Sequence, residues 1–238
     1  MSASPEISIV VPAYEEAPRM ARTVAQLAGA CALVAQTWEI VVAVEPSADA
    51  TLQAALEAAG SAGNIRVLDL KKHLGKGHAV REGVLQAGGD IIFFCDADLS
   101  ADLAALGEFI ALFRADPDLD GVIGVRRKRI GRAPFLRRWL SGCFHAAVQR
   151  LTRLPFADTQ CGFKAFRQQR AHFLANAQRQ TGYAFDIEWL LLAQREGWNV
   201  AQCPIVWTDQ PQSHIWLPRD GLGLLLAAWR LGRRSRKD

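Results

Sequence analysis

The stretch Ile91-Ile92-Phe93-Phe94-Cys95-Asp96-Ala97-Asp98-Leu99 decides the fold: an apolar run that stops at two carboxylates one residue apart. Consecutive bulky apolar residues suit a strand covered on both faces of a parallel sheet, and such sheets place ligand chemistry at the carboxyl ends of their strands. Asp96 and Asp98 fall at such an end. Two hard oxygen donors flanking the small Ala97 can hold Mg2+ or Mn2+ beside a diphosphate, because the ion keeps positions for phosphate oxygens and water. The same residues also read as a strand-to-helix turn in which Asp98 or Ser100 caps the following helix.

Working outward, apolar runs predict strands over 6–11, 38–44, 64–70 and 121–125, alternating with helices over 17–34, 49–59, 76–87 and 102–115. This alternation indicates α/β architecture: an open, mostly parallel sheet with helices on both faces and a Rossmann-like nucleotide-binding half. Gly-x-Gly-x-x-Gly is absent after the first strand, which argues against an ordinary dinucleotide dehydrogenase. The glycines of Leu74-Gly75-Lys76-Gly77-His78 let backbone approach a ligand, and the helix they open is expected to turn its positive end toward phosphate, with Lys76 adding a point charge.

The chain has 238 residues, 50% of them hydrophobic, and no internal repeat, which favours one domain. Its five cysteines are odd in number and lack Cys-x-x-Cys spacing, so they read as reduced thiols and not as zinc ligands. No apolar window near the N-terminus is long enough for a signal peptide or a membrane span, so a cytoplasmic protein is expected. The net charge of +4 conceals an asymmetry: residues 1–120 hold 8 Lys/Arg against 17 Asp/Glu, whereas residues 121–157 hold 9 against none. A basic stretch beside an acidic half points to an anionic ligand, such as a phosphorylated substrate, an anionic membrane surface or nucleic acid.

A set of motifs occurs in order along nearly the whole chain: Val11-Pro12-Ala13-Tyr14-Glu15-Glu16, Gly75-Lys76-Gly77 with Arg81, Asp96-Ala97-Asp98-Leu99, Asp158-Thr159-Gln160-Cys161-Gly162-Phe163-Lys164, Phe185-Asp186-Ile187-Glu188 and Val206-Trp207-Thr208. The sequence resembles a family 2 glycosyltransferase of GT-A fold, in the branch of dolichyl- and polyprenyl-phosphate glucosyl- and mannosyltransferases. The Asp158–Lys164 motif is most similar to dolichyl-phosphate β-glucosyltransferases.

The resemblance implies a single GT-A domain over 1–238, with a nucleotide-sugar half (1–120), an acceptor half (121–215) and a C-terminal amphipathic helix with basic tail (216–238). It places Pro12, Ala13, Tyr14 and Glu15 along the nucleotide pocket and Asp96, Ala97 and Asp98 at the diphosphate, with Asp96 and Asp98 as Mg2+ or Mn2+ ligands. Val44-Glu45-Pro46-Ser47 stands where many members read Asp-Asp-Gly-Ser. Glu45 then takes the position of the base-reading acid, a part Val44 cannot fill. Asp158 matches a carboxylate proposed as catalytic base, with Asp98 the second residue assigned to catalysis. Gln160 and Asp186 fall near the sugar. Arg126 and Arg138 are expected on the acceptor phosphate, since guanidinium binds phosphate in a bidentate fork.

The resulting expectation is an inverting, metal-dependent hexosyltransferase. Its donor would be UDP-glucose, with GDP-mannose second, and its acceptor a polyprenyl or dolichyl phosphate. The alternatives are a soluble or protein acceptor, or a catalytically silent module that binds a nucleotide sugar or polyanion. Nucleic acid is not expected as a partner. The apolar segment 221–231 is too short to span a bilayer; with the basic residues after it, it reads either as a peripheral anchor on an anionic membrane or as a helix docked on the core.

Overall fold

The computed structural model describes residues 4–130, 146–208 and 217–234. Its first half follows the predicted alternation: β1 (Ile7–Ala13), α1 (Met20–Val34), β2 (Trp38–Val44), α2 (Thr51–Ala59), β3 (Ile65–Asp69), α3 (Lys76–Gln86), β4 (Ile91–Cys95) and α4 (Ala105–Ala115). The second half holds β5 (Gly121–Ile130), helix α5 over 146–152, β6 (Phe163–Arg167), α6 (Gln168–Ala177), α7 (Phe185–Arg195), β7 (Val200–Thr208) and α8 (Leu217–Arg234). All seven strands form one sheet in the order β3-β2-β1-β4-β6-β5-β7.

β1 to β4 pair in parallel, as their continuous apolar runs predicted. The sheet is mostly parallel, as expected, and its reversed strand lies on the other edge of β4. There β4 pairs antiparallel with β6, Cys95 opposite Phe163, and β6 pairs antiparallel with β5. This one reversed strand brings the turn before it, residues 158–162, up to the end of β4, beside Asp96. A hydrogen bond from Asp96 N to Gly162 O (3.3 Å) ties the two together.

Side chains alternate across the sheet with the two-residue period of a strand. Ile7, Ile9 and Val11 of β1 face α1 and α4 through Met20, Val24, Leu27, Leu106, Phe109 and Phe113. Val10 faces the opposite layer, where Val80 and Val84 of α3, Leu174 of α6, and Phe185 and Trp189 of α7 pack with Phe94. A third cluster joins Ile123 to Val148, Leu190, Ala228 and Leu231. Through Ala228 and Leu231 the C-terminal helix docks on the body, while Leu226 and Trp229 on the same helix remain exposed. Helix α8 begins before the apolar segment that announced it, and β5 runs five residues past its predicted end.

Entry into β4 is tight. A Cβ on Gly89 would lie 2.6 Å from both the Ser8 amide nitrogen and Oγ, and 2.7 Å from the Ile7 carbonyl carbon. Backbone on a central strand cannot yield as a flexible side chain would. Gly89→Ala is therefore expected to destabilise the fold by about 1–3 kcal/mol in urea unfolding; wild-type stability would show that the β1–β4 edge can shift.

Candidate active site

The carboxyl ends of β1, β2 and β4 meet at one rim, which gathers the acids that follow each strand. Asp96 leaves β4 and accepts an ion pair from Lys76 Nζ at 2.5 Å. Gly162 lies so close to this carboxylate that a Cβ would come 2.0 Å from Asp96 Oδ2. Asp98 Oδ1 accepts a hydrogen bond from the Ser100 amide at 2.9 Å, which closes a local turn; the helix that follows begins only at Ala105, with Ala104 at its N-cap, so neither Asp98 nor Ser100 caps it. Burial, and then the neighbouring Asp96, hold the Asp98 carboxyl above its ordinary range. Leu99 next to it has φ +49°, and the Ala97 carbonyl accepts from Thr23 Oγ1 at 2.6 Å, anchoring the turn to α1.

Glu16 is a member of this rim that the sequence reading quoted without assigning a role. Its Oε2 lies 2.9 Å from Arg19 Nε, yet it is buried and, among the described residues, accepts no hydrogen bond. Burial pushes its carboxyl up to about 7, with Asp98 and Asp96 adding to the rise and Arg19 opposing it. Like charges gathered in a partly desolvated place raise one another in this way. Among the described residues no three His, Cys, Asp or Glu side chains are placed to hold a metal ion unaided. The orphaned Glu16 oxygen and the mutual repulsion of Asp96 and Asp98 nevertheless fit a divalent cation whose remaining ligands are phosphate oxygens and water.

At the end of β2, Glu45 is 1% exposed. Its oxygens accept from Leu74 N at 2.9 Å, from Gly75 N at 2.9 and 3.1 Å, and pair with His73 Nδ1 at 2.7 Å. The His73 ring stacks on Tyr14, centroids 4.1 Å apart. Pro12 and Ala13 pair with Ala43 and Val44 at the neighbouring strand end, and Glu15 turns the chain with φ +55°. Part of the glycine loop's backbone is engaged within the protein. Leu74 and Gly75 donate to Glu45, and His78 N donates to the carbonyls of Gly75 and Thr181. What reaches the rim from this loop is the Lys76 ammonium; Asp96 and Asp186 keep it protonated more firmly than usual, against the opposing effect of its burial.

On the other side of Asp96, Arg126 forks onto Asp158: Nε donates to Oδ2 at 2.6 Å and Nη2 to Oδ1 at 2.8 Å. The Arg126 guanidinium also lies 5.3 Å above the Trp207 ring. A register shift in β5 between Arg126 and Lys128 marks a bulge just past this arginine. The Gln160 amide donates to Asp158 Oδ1 at 3.3 Å. Asp186 accepts an ion pair from the buried Lys164 at 2.5 Å. Burial raises its carboxyl despite the opposing Lys164 and Lys76. The rim thus brings together Tyr14, Glu45, Lys76, Asp96, Asp98, Arg126, Asp158, Gln160 and Asp186. Arg138, expected on the acceptor phosphate, lies outside the described residues. The placement of Glu16, His73 and Lys164 was not legible in the sequence: Glu16 and Lys164 end quoted motifs, and His73 directly precedes the glycine loop.

Residues 8–173 match the family described as Glycosyl transferase family 2. A dolichyl-phosphate beta-glucosyltransferase of Drosophila melanogaster is 32% identical over 266 residues, covering 100% of this chain and 81% of that protein. Glycosyltransferase AglD of Haloferax volcanii is 31% identical over 243 residues; the alignment covers 99% of this chain but only 39% of AglD. In fold, the chain is similar to glucosyl-3-phosphoglycerate synthase from Mycobacterium tuberculosis, crystallised with Mn2+, UDP and phosphoglyceric acid. The TM-score is 0.73 at 17% identity, covering 96% of this chain and 78% of that one.

A carboxyl raised in the folded state binds protons that the unfolded chain releases, so stability falls as pH climbs from the ordinary glutamate range toward about 7. In metal-free protein, Glu16→Gln is expected to raise the melting temperature at about pH 8 and to leave it unchanged at about pH 4, where the carboxyl is protonated in both states. An equal gain at both pH values would place the cause elsewhere.

Proposed function

The chain belongs to glycosyl transferase family 2, and from that premise we propose that it moves a hexose from a nucleotide sugar to a polyprenyl phosphate. Glucose from UDP-glucose is the favoured donor, a dolichyl-type phosphate the acceptor, and the anomeric carbon inverts. The names of the relatives at about 30% identity support the acceptor class and the sugar. The observation that carries the reading is the contact of Gly162 with the Asp96 carboxylate. It sets the Asp158–Arg126 pair and the Asp96–Asp98 pair on one rim, within reach of two substrates at once.

In this reading residues 1–120 hold the donor and 121–215 the acceptor. Tyr14 and His73 offer an aromatic platform for the base, and Glu45 shapes that platform by fixing the 73–75 loop. Asp96 and Asp98 would hold Mg2+ or Mn2+, which when bound supplies positive charge for the departing diphosphate. Lys76 adds its ammonium on the same side. A carboxylate and a phosphate present similar pairs of oxygens to guanidinium, so the acceptor phosphate can take over the Arg126 fork that Asp158 fills in its absence.

Asp158 then holds Arg126 ready and orients the acceptor. A phosphate monoester, with a second pKa of ~6, is mostly dianionic at neutral pH and attacks without losing a proton to a base. This favours an orienting Asp158 over a deprotonating one. Among the described residues no helix is long and apolar enough to cross a membrane. Exposed Leu226 and Trp229 beside Arg230 and Arg233 suit peripheral contact with an anionic cytoplasmic membrane face, each cation contributing ~1 kcal/mol.

The test is transfer of labelled glucose from UDP-glucose to a short polyprenyl phosphate, with Mn2+ and with chelator. Asp98→Ala is expected to abolish metal-stimulated UDP binding. Arg126→Ala should raise KM for the lipid phosphate about 30-fold, matching the ~2 kcal/mol of a hydrogen bond to a charged group, with little change in KM for the donor. Transfer to a soluble phosphorylated acceptor instead, or nucleotide binding without turnover on any acceptor, would overturn the proposal.

A further inference from the structure

Lys164 stands in the middle of the sheet with 0% of its surface exposed. It pairs with Phe94 of β4 on one side and with Ile123 of β5 on the other. Its ammonium donates to the Cys161 carbonyl at 2.6 Å and to Asp186 Oδ1 at 2.5 Å, and lies 5.2 Å above the Phe94 ring. A buried charge is costly to desolvate, and an apolar side chain of the same length would fill this place at no electrostatic cost. What distinguishes Lys164 is the pair of groups it joins. The negative charge of Asp186 also acts on Lys76, which is paired with Asp96 at 2.5 Å. Cys161 belongs to the turn that carries Asp158 at one end and Gly162, pressed on Asp96, at the other.

We propose that Lys164 is a positioning residue of this site. Through the Cys161 carbonyl it sets the turn that presents Asp158 to the acceptor and Gly162 to Asp96, and through its ion pair it holds the Asp186 carboxylate in place beside that turn. Being fully enclosed, it touches neither substrate. The inference rests on the donor-and-acceptor reading of the rim. The competing account is that Lys164 merely fastens α7 to the sheet.

Lys164→Met keeps the length of the side chain and removes the charge; Lys164→Met with Asp186→Asn removes both charges of the pair. In ligand-free protein, the amides of residues 159–163 should exchange hydrogen faster in Lys164→Met than in wild type. Its kcat should fall about 10²-fold, the scale of a small misplacement of reacting groups, with KM for UDP-glucose nearly unchanged. The double variant should melt at or above the single one and remain as slow.

Wild-type exchange or wild-type turnover in Lys164→Met overturns the proposal. So does a double variant that regains turnover together with stability, since a fastening role would behave that way. If Lys164→Met does not fold, the double variant carries the same comparison. A wild-type protein that transfers to no acceptor removes the reaction, not this inference, because the exchange measurement still decides whether Lys164 sets the turn.

Discussion

Six carboxylates, those of Glu16, Glu45, Asp96, Asp98, Asp158 and Asp186, crowd one rim of the sheet, and the arrangement of the site follows from how each is compensated. Like charges 4 Å apart repel by on the order of 4 kcal/mol near a protein surface. Lys76 pairs with Asp96, Lys164 with Asp186, Arg126 with Asp158 and Arg19 with Glu16, while Glu45 lies against His73 and accepts from two loop amides. Burial, with the neighbouring carboxylates adding to it, holds Asp98 and Glu16 above their ordinary range, Glu16 in spite of Arg19. The excess of negative charge therefore lies where a cation and a diphosphate are proposed to bind.

The crowding is a product of topology. Parallel strands end at the same edge, so acids that follow β1, β2 and β4 meet there, although tens of residues separate them in the chain. The reversed β6 adds the second half of the site. Running antiparallel between β4 and β5, it starts at the rim instead of ending there, so the 158–162 turn enters the site from the opposite chain direction. Arg126 arrives on β5, and its fork on Asp158 spans β5 and this turn.

The glycine loop shows how a motif can be legible in position and misread in purpose. Gly75 has φ +109°, a conformation that favours glycine, and a Cβ on Gly77 would stand 2.8 Å from the carbonyl oxygens of both Gln180 and Gly182. The glycines admit the 180–182 segment, itself held by Glu188, which accepts from the amides of Arg179 and Gln180. Glu188, in the first turn of α7, thus clamps the loop that closes over α3.

The sequence alone determined the strands and helices of the first half, the rim at which β4 ends, and the identity of most acids and cations gathered there. Apolar runs and their interruptions are local, and a local pattern survives without coordinates. Tertiary structure alone decided the antiparallel insertion of β6, the engagement of Glu45 with the 73–75 loop, the orphaned oxygen of Glu16 and the enclosure of Lys164. Each depends on partners distant along the chain or on a strand direction, and neither spacing nor composition encodes which charge meets which once the chain has folded.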